Sequence, residues 1–254
     1  MAFFTVTSAS GSLGVTTLCV GLALTWPRPV VLVEADPSGG SAILAGYCTG
    51  LARPGLSELV LAHRHHQLVS ELPSRLFPLA DSSASLLPGL RSHQQAASLL
   101  GVWDALLDAL RELEATTGVD VMVDAGRLGM VGSPEPLISE AEVALVLTGT
   151  GLPELARIRS WVPQLQEAAV GEVRLAIAGR VRPYNASEIT RTLGLAVVGE
   201  VAWDPQAARW WSHGEPYRRF HRSPLNRTIT VLGEALRALA PRQDEAKLAG
   251  RAER

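Results

Sequence analysis

The sequence predicts an α/β fold with a doubly wound, mostly parallel sheet flanked by helices. Apolar segments of strand length alternate with helical segments along the chain up to about residue 240. These strand segments are apolar at nearly every position, which is typical of parallel strands covered on both faces. With 254 residues, of which 19% are charged and 47% hydrophobic, the chain suits one globular domain. We expect that domain over residues 1–240 and a polar C-terminal tail over residues 241–254.

The elements follow one another in a regular order. Residues 3–7 predict the first strand, and the loop after it leads into a helix that ends near Trp26. Residues 29–36 predict a second strand that ends in a carboxylate. The same reasoning predicts further strands at 84–90, 119–126, 141–148, 172–179 and 196–202, and helices at 94–118 and 224–240.

Composition excludes several classes of protein. The formal net charge of −2 argues against a protein that coats nucleic acid. No apolar run reaches the roughly 18 residues that a transmembrane helix needs. The tail offers only Leu248 as a bulky apolar residue, so no membrane-targeting helix is evident. The two cysteines, Cys19 and Cys48, form no C-x-x-C motif. We therefore expect a cytoplasmic protein.

The segment SASGSLGVTT, residues 8–17, has the outline of a phosphate-binding loop without its charge. Such loops read G-x-x-x-x-G-K-[ST], with backbone N–H groups and a lysine around the phosphates. Here Ala9 occupies the first glycine position, Gly14 the second, and Val15 the lysine position. Thr16 keeps the hydroxyl that would hold a magnesium ion. The segment therefore predicts a degenerate phosphate site.

Two aspartates end predicted strands near this loop. They are Asp36 in VEADPSGG and Asp124 in VMVDAG. Because the carboxyl ends of parallel strands meet at one edge of a sheet, we expect both carboxylates to lie beside the loop. Magnesium takes hard oxygen ligands. The sequence therefore predicts a magnesium site formed by Thr16, Asp36 and Asp124.

The chain resembles the ParA/MinD family of deviant Walker A P-loop ATPases over nearly its whole length. SASGSLGVTT is similar to the family's K-G-G-x-G-K-T-T loop, VEADPSGG to its D-x-D-P-Q-G segment, and VDVMVDAG to its D-x-x-x-x-D-x-P segment. Residues 179–216 resemble the family's N-R-Y, L-G-x-x-V-x-G-x-I-P-x-D and G-x-P run.

The resemblance implies ATP or ADP with Mg²⁺ as cofactor. It implies that Asp36 is the catalytic aspartate that orients the attacking water and that Asp124 acts through the magnesium. It also implies a nucleotide-binding set formed by the loop, two arginines near the base and two residues beside them: Gly11, Ser12, Leu13, Gly14, Val15, Thr16, Thr17, Arg180, Arg182, Asp204 and Pro205.

The departures from the family pattern concern charge. The family's loop lysine is Val15 here, and its signature lysine, which reaches across a dimer to the partner's nucleotide, is Ser10. We therefore predict a positioning or scaffold protein with little or no ATP hydrolysis, serving chromosome partitioning, division-site placement or pilus localisation of the TadZ/CpaE type. One alternative is an active ATPase in which Arg127 or an arginine of another chain replaces the lysines. Another is an interaction module that binds no nucleotide.

Residues 209–227 interleave arginine with aromatic residues. This pattern predicts a surface for a protein partner, a homodimer or non-specific DNA, formed by Arg209, Trp210, Trp211, Arg218, Arg219 and Arg222. The alternative is that the tryptophans pack under the last helix and the arginines are ordinary surface residues. With Ser10 in place of the signature lysine, the phosphate charges of two nucleotides that face each other across a dimer would repel. We therefore expect no dimer that depends on ATP. Any dimer would then form without nucleotide through an apolar or arginine–aromatic surface, with Trp210 and Trp211 as the first candidates.

Overall fold

The computed structural model describes residues 2–11, 13–79, 82–179 and 183–240. Its eight strands form one sheet in the order β3-β4-β2-β5-β1-β6-β7-β8. Neighbouring strands are parallel except for the antiparallel pair β3 and β4. The predicted fold class is confirmed. The strands are β1 (Phe3–Ser8), β2 (Val30–Glu34), β3 (Phe77–Pro78), β4 (Ala84–Leu87), β5 (Asp120–Arg127), β6 (Val143–Thr148), β7 (Glu172–Ala178) and β8 (Val197–Val201).

Helices cover both faces of this sheet. They are α1 (Val15–Thr25), α2 (Ala42–Ala45), α3 (Leu56–Arg64), α4 (Leu68–Arg75), α5 (Trp103–Thr117), α6 (Glu135–Ser139), α7 (Leu152–Ala168), α8 (Ala186–Leu193), α9 (Pro205–His213) and α10 (Pro224–Leu239). Short 3₁₀ helices span His93–Leu99 and Phe220–Arg222. Among the described helices, none has both the length and the apolar character to cross a bilayer.

The helix predicted over residues 94–118 is two elements. A 3₁₀ helix ends at Leu99 and α5 begins at Trp103, so the prediction is wrong for the residues between them. Gly101 lies in this break, and glycine disfavours a continuous helix. The predicted end is correct, because Gly118 adopts the left-handed conformation (φ 73°) that ends α5.

Alternate strand residues supply two separate apolar layers. Phe3, Val31 and Val33 pack with the helices from α3 to α8, whereas Phe4 and Leu32 pack with α1, α2, α9 and α10. Burial on both faces explains why these strands read as apolar throughout. At the centre of the sheet, β5 lies between β1 and β2, so the loops that follow these three strands are adjacent.

Trp211 belongs to the second apolar layer. Its side chain is only 2% exposed, and its ring centroid lies 4.7 Å from that of Phe220. The ring also covers Gly21 of α1, where an added Cβ would be 2.4 Å from Cζ3 of the indole. The prediction that Trp211 forms a partner surface is therefore wrong, because Trp211 holds α9 against α1. Trp210 is half-buried and also packs on Phe220, with ring centroids 4.7 Å apart.

Candidate functional site

The loop between β1 and α1 is fixed by hydrogen bonds of its own. The Ser8 hydroxyl accepts a hydrogen bond from the backbone N–H of Ser10 (3.0 Å) and donates one to the Ser10 carbonyl (2.7 Å). Gly14 then takes a left-handed conformation (φ 86°) and precedes the first residue of α1. A glycine suits this position because it reaches positive φ without steric cost. The turn leads the chain directly into the N-terminus of α1, where backbone N–H groups favour an anion.

A cavity of about 440 Å³ lies beside this loop. Its size is that of a small-molecule site. It brings together residues from the loops after β1, β2 and β5, as predicted from the convergence of strand ends. Its lining comprises Ser10, Gly11, Leu13, Gly14, Val15, Thr16, Asp36, Ser38, Gly126, Arg127 and Met130.

Asp36 is held in place by its own turn and by β5. Its Oδ1 accepts a hydrogen bond from the backbone N–H of Ser38 at 2.8 Å. Its carboxyl group packs against Gly126, where an added Cβ would lie 2.4 Å from Cγ of Asp36. Because Gly126 also has a positive φ of 61°, this position favours glycine for two reasons. Asp36 thus points along the cavity wall next to the end of β5.

Asp124 lies beneath the cavity, fully buried in β5. Its Oδ1 accepts a hydrogen bond from the backbone N–H of Gly126 at 3.0 Å, while Oδ2 has no hydrogen-bond partner among the described residues. The pKa of Asp124 is raised to about 7, mainly because the group is buried. The Thr16 side chain partly offsets this shift, and the negative charge of Asp36 adds to it. A buried carboxylate oxygen without a partner is unfavourable unless a cation or donor satisfies it.

These residues fit the magnesium that the resemblance implies. Thr16 is the second residue of α1 and lines the cavity together with Asp36. Asp124 does not line the cavity, but both of these side chains affect its pKa. A hydroxyl and two carboxylates are the oxygen ligands that Mg²⁺ prefers. When bound, the ion would supply positive charge for nucleotide phosphates.

Glu34 is a buried acidic residue near the site that was not predicted from the sequence. It is buried at the end of β2 and accepts hydrogen bonds from the Ser41 hydroxyl, from the backbone N–H of Ile43 (3.0 Å) and from that of Gly89 (2.9 Å). Burial raises the pKa of its carboxyl group. These bonds join the segments after β2 and β4. The available signal was an acidic residue in the otherwise apolar run VVLVEAD.

Neither family lysine position supplies a cation. Val15 is 9% exposed and packs in the same apolar layer as Leu18 and Val20 of α1. Ser10 is buried within the loop. Among the described lining residues the basic side chain is Arg127, whose Nη1 lies 3.7 Å from the position that a Cβ of Gly11 would occupy. Its Nη2 lies 3.0 Å from Sδ of Met130.

Several predicted site residues are not brought to the cavity. Thr17 is half-buried and does not line it. Asp204 caps α9 by accepting a hydrogen bond from the backbone N–H of Ala207 (3.1 Å), and Pro205 is the first residue of that helix. Neither lines the cavity. Ser12, Arg180 and Arg182 lie outside the residues that the structure describes.

The arginines of the predicted partner surface are exposed. Arg209 forms an ion pair with Glu215 at 3.2 Å. Three further arginines lie at the 3₁₀ helix before α10: Arg218 and Arg219 precede it, and Arg222 is its last residue. We term these three residues the arginine turn. Within the described ranges these three form no ion pair. Their side chains are exposed to an outside group.

Comparison with solved structures gives the same fold at low sequence identity. The MinC:MinD cell division protein complex of Aquifex aeolicus matches with 15% identity and a TM-score of 0.74, over 94% of this chain and 96% of the matched chain. A ParA family ATPase from Chlorobium tepidum matches with 16% identity and a TM-score of 0.71, over 92% and 97%. The septum site-determining protein MinD of Pyrococcus horikoshii, complexed with Mg-ADP, matches with 16% identity and a TM-score of 0.69, over 94% and 96%.

No family model matches the sequence, and no curated protein matches it. The predicted resemblance is nevertheless confirmed at the level of the fold, since the matches extend over nearly the whole of both chains. The chain therefore has the fold of MinD and the ParA family ATPases.

Proposed function

We propose that the protein is a ParA/MinD-like positioning or scaffold protein that binds a magnesium nucleotide weakly and hydrolyses it slowly or not at all. The observation that carries this proposal is one cavity that Thr16 and Asp36 line together with Val15, which occupies the lysine position and brings no charge. The Mg-ADP complex of a MinD with the same fold supports a nucleotide as the ligand. The process served would be chromosome partitioning, division-site placement or pilus localisation.

The missing lysines affect binding less than they affect hydrolysis. A charge-assisted hydrogen bond contributes about 1.5–3 kcal/mol, so its loss weakens binding roughly 10- to 150-fold. Groups that stabilise charge in the transition state contribute about 10³–10⁵ in rate. A site with Val15 and Ser10 in these positions can thus retain a nucleotide that it turns over very slowly.

Arg127 supports the binding half of this proposal. It lines the cavity beside Gly11, and it forms no ion pair with any described residue. Its guanidinium could hold a phosphate with two parallel hydrogen bonds. Arg127 approaches from the end of β5 rather than from the loop itself, so it provides charge from a different direction than the missing lysine.

Nucleotide binding can be tested by thermal shift and calorimetry with magnesium and ATP, ADP or GTP. We expect weak binding that falls about tenfold or more in Arg127→Gln and is unchanged in Arg157→Gln, which removes an exposed arginine of α7. Val15→Lys should strengthen binding if the loop keeps its shape. No stabilisation by any nucleotide would instead favour a nucleotide-free interaction module.

Hydrolysis is measured separately as phosphate release. We expect little or no release above the background. Release of several turnovers per minute that Asp36→Ala abolishes would contradict slow hydrolysis. That result would favour an active ATPase that uses arginines.

The positioning role needs a test in cells. A fluorescent fusion in the native organism should collect at a defined place, such as a pole, the division site or the nucleoid. An even distribution throughout the cell would contradict a positioning role, whatever the nucleotide measurements give.

Non-specific DNA binding is a second candidate function, favoured by the exposed arginines of the arginine turn. We expect Arg218→Ala/Arg219→Ala/Arg222→Ala to weaken binding to a random-sequence duplex and to reduce the salt slope by about 3. The control Arg64→Ala/Arg157→Ala/Arg191→Ala removes the same charge from exposed arginines of α3, α7 and α8. Equal losses in both variants would mean that net charge alone is responsible.

A further inference from the structure

A second cavity, of about 340 Å³, lies between α6 and α7. It shares no lining residue with the cavity at the phosphate loop. Its floor is apolar, formed by side chains of the first core layer that include Leu128, Ile138 and Val173. Trp161 of α7 forms one wall and packs over Gly129, where an added Cβ would lie 2.9 Å from Cζ2 of the indole. The cavity therefore offers an aromatic wall over an apolar base.

One polar group in this cavity lacks a hydrogen-bond partner. Ser133 lines the cavity and is 6% exposed, and its Oγ forms no hydrogen bond with any described residue. Its backbone is satisfied, because its N–H donates to the carbonyl of Met130 (3.1 Å) and its carbonyl accepts from the N–H of Glu135 (2.9 Å). A buried hydroxyl without a partner is unfavourable, so this group is suited to a donor or acceptor within the cavity.

The charged residues that line the cavity are all acidic: Asp104, Glu135 and Glu140. Glu140 pairs with Arg111 at 2.7 Å. Asp104 and Glu135 are exposed and form no ion pair within the part of the chain that the structure describes. Two uncompensated carboxylates repel phosphates and carboxylates and attract cations.

We propose that this cavity is a binding site for a small organic amine with an aromatic body and a hydroxyl group. The aromatic body lies on Trp161 and the apolar floor, the ammonium pairs with Asp104 and Glu135, and the hydroxyl reaches Ser133. The site is separate from the nucleotide site, with no lining residue in common, and its acidic lining disfavours a second nucleotide.

The proposal is tested on the full chain with three probes of nearly equal size: tyramine, its neutral counterpart tyrosol, and the anionic 3-(4-hydroxyphenyl)propionate. Calorimetry and saturation-transfer NMR measure their binding at millimolar concentrations. We expect tyramine to bind at least about tenfold more tightly than tyrosol, as one charge-assisted contact requires, and the propionate to bind more weakly than either. Equal binding of tyramine and tyrosol, or no binding of tyramine, would overturn the proposal.

Variants identify the groups responsible. Asp104→Asn/Glu135→Gln should lower tyramine affinity about tenfold or more and leave tyrosol unchanged. The control Asp108→Asn/Glu112→Gln makes the same charge change on exposed residues of α5 outside the cavity and should have no effect. A loss that is equal in both variants would contradict a specific site. Ser133→Ala should weaken tyramine about fivefold but leave phenethylamine, which lacks the hydroxyl, unchanged. Equal effects on both amines would show that Ser133 takes no part in recognition.

Discussion

The carboxyl group of Asp36 and the backbone of Gly126 are in such close contact that no side chain fits between them. A Cβ on Gly126 would lie 2.4 Å from Cγ and 2.6 Å from Oδ2 of Asp36. The loop after β2 and the end of β5 are therefore positioned against each other through this pair. The position of the Asp36 side chain in the cavity therefore depends on a glycine, Gly126, in the neighbouring strand β5.

The contact predicts a specific cost for Gly126→Ala. We expect it to lower the free energy of unfolding by about 1 kcal/mol from the positive φ and by about 1–3 kcal/mol more from overpacking. Gly194→Ala is the control, since Gly194 has a similar φ of 70° but nothing within 4 Å of an added Cβ. Urea unfolding measures both. Asp36→Ala should remove the overpacking cost in the double variant. A double variant whose losses simply add would show that the two residues do not clash.

Glu114 predicts a pH-dependent loss of stability. It is 2% exposed in α5, its Oε1 lacks a partner among the described residues, and burial together with Glu142 raises its pKa to about 7. Because the folded-state pKa exceeds the unfolded one, its contribution is fully present below about pH 4.5 and is lost as the pH rises through 7. Glu114→Gln should therefore gain stability relative to the wild type between about pH 5 and pH 8, by roughly 3 kcal/mol or less.

Urea unfolding across that pH range measures the effect of Glu114. Glu112→Gln, on the exposed side of the same helix, is the matched control and should follow the wild type. Parallel pH profiles for Glu114→Gln and the wild type would contradict a proton uptake by Glu114 in the folded protein.

We expect replacement by alanine to lower the free energy of unfolding far more at Trp211 than at Trp203. Trp211→Ala empties the space between α9 and α1 and should cost about 3–5 kcal/mol of stability. Trp203 is 68% exposed, so Trp203→Ala should change stability by less than about 0.5 kcal/mol. Denaturant midpoints compare the two variants. Similar midpoints would mean that Trp211 is not a core residue in solution.

Association should not depend on ATP. With Ser10 and Val15 in place of the family lysines, two nucleotides facing each other would leave their phosphate charges close together and unneutralised. We expect light scattering after size exclusion to give the same mass with and without magnesium and a non-hydrolysable ATP analogue. In the double variant Ser10→Lys/Val15→Lys, which restores both lysines, we expect the analogue to promote a dimer. A wild-type monomer that dimerises only with the analogue would contradict this prediction.

The sequence was most informative where a residue's environment is set by its neighbours along the chain. The strands were predictable because both of their faces are covered, and the approach of Asp36 and Asp124 to the loop was predictable because parallel strands end at one edge. β3 was missed because it is two residues long and contains Pro78. The burial of Trp211 was assigned wrongly because it depends on Gly21 in a distant helix. Arg127 is named from the sequence as one replacement for the missing lysines, but its approach to Gly11 depends on three-dimensional packing.

Residues 127–133, which begin at the last residue of β5, form a wall shared by the two cavities. Arg127 and Met130 line the cavity at the phosphate loop, whereas Leu128, Gly129 and Ser133 line the cavity between α6 and α7. A ligand that shifts this wall from one side therefore changes the affinity on the other. Thermodynamic linkage makes that factor identical in both directions, so the effect of an amine on nucleotide affinity would equal the effect of nucleotide on amine affinity.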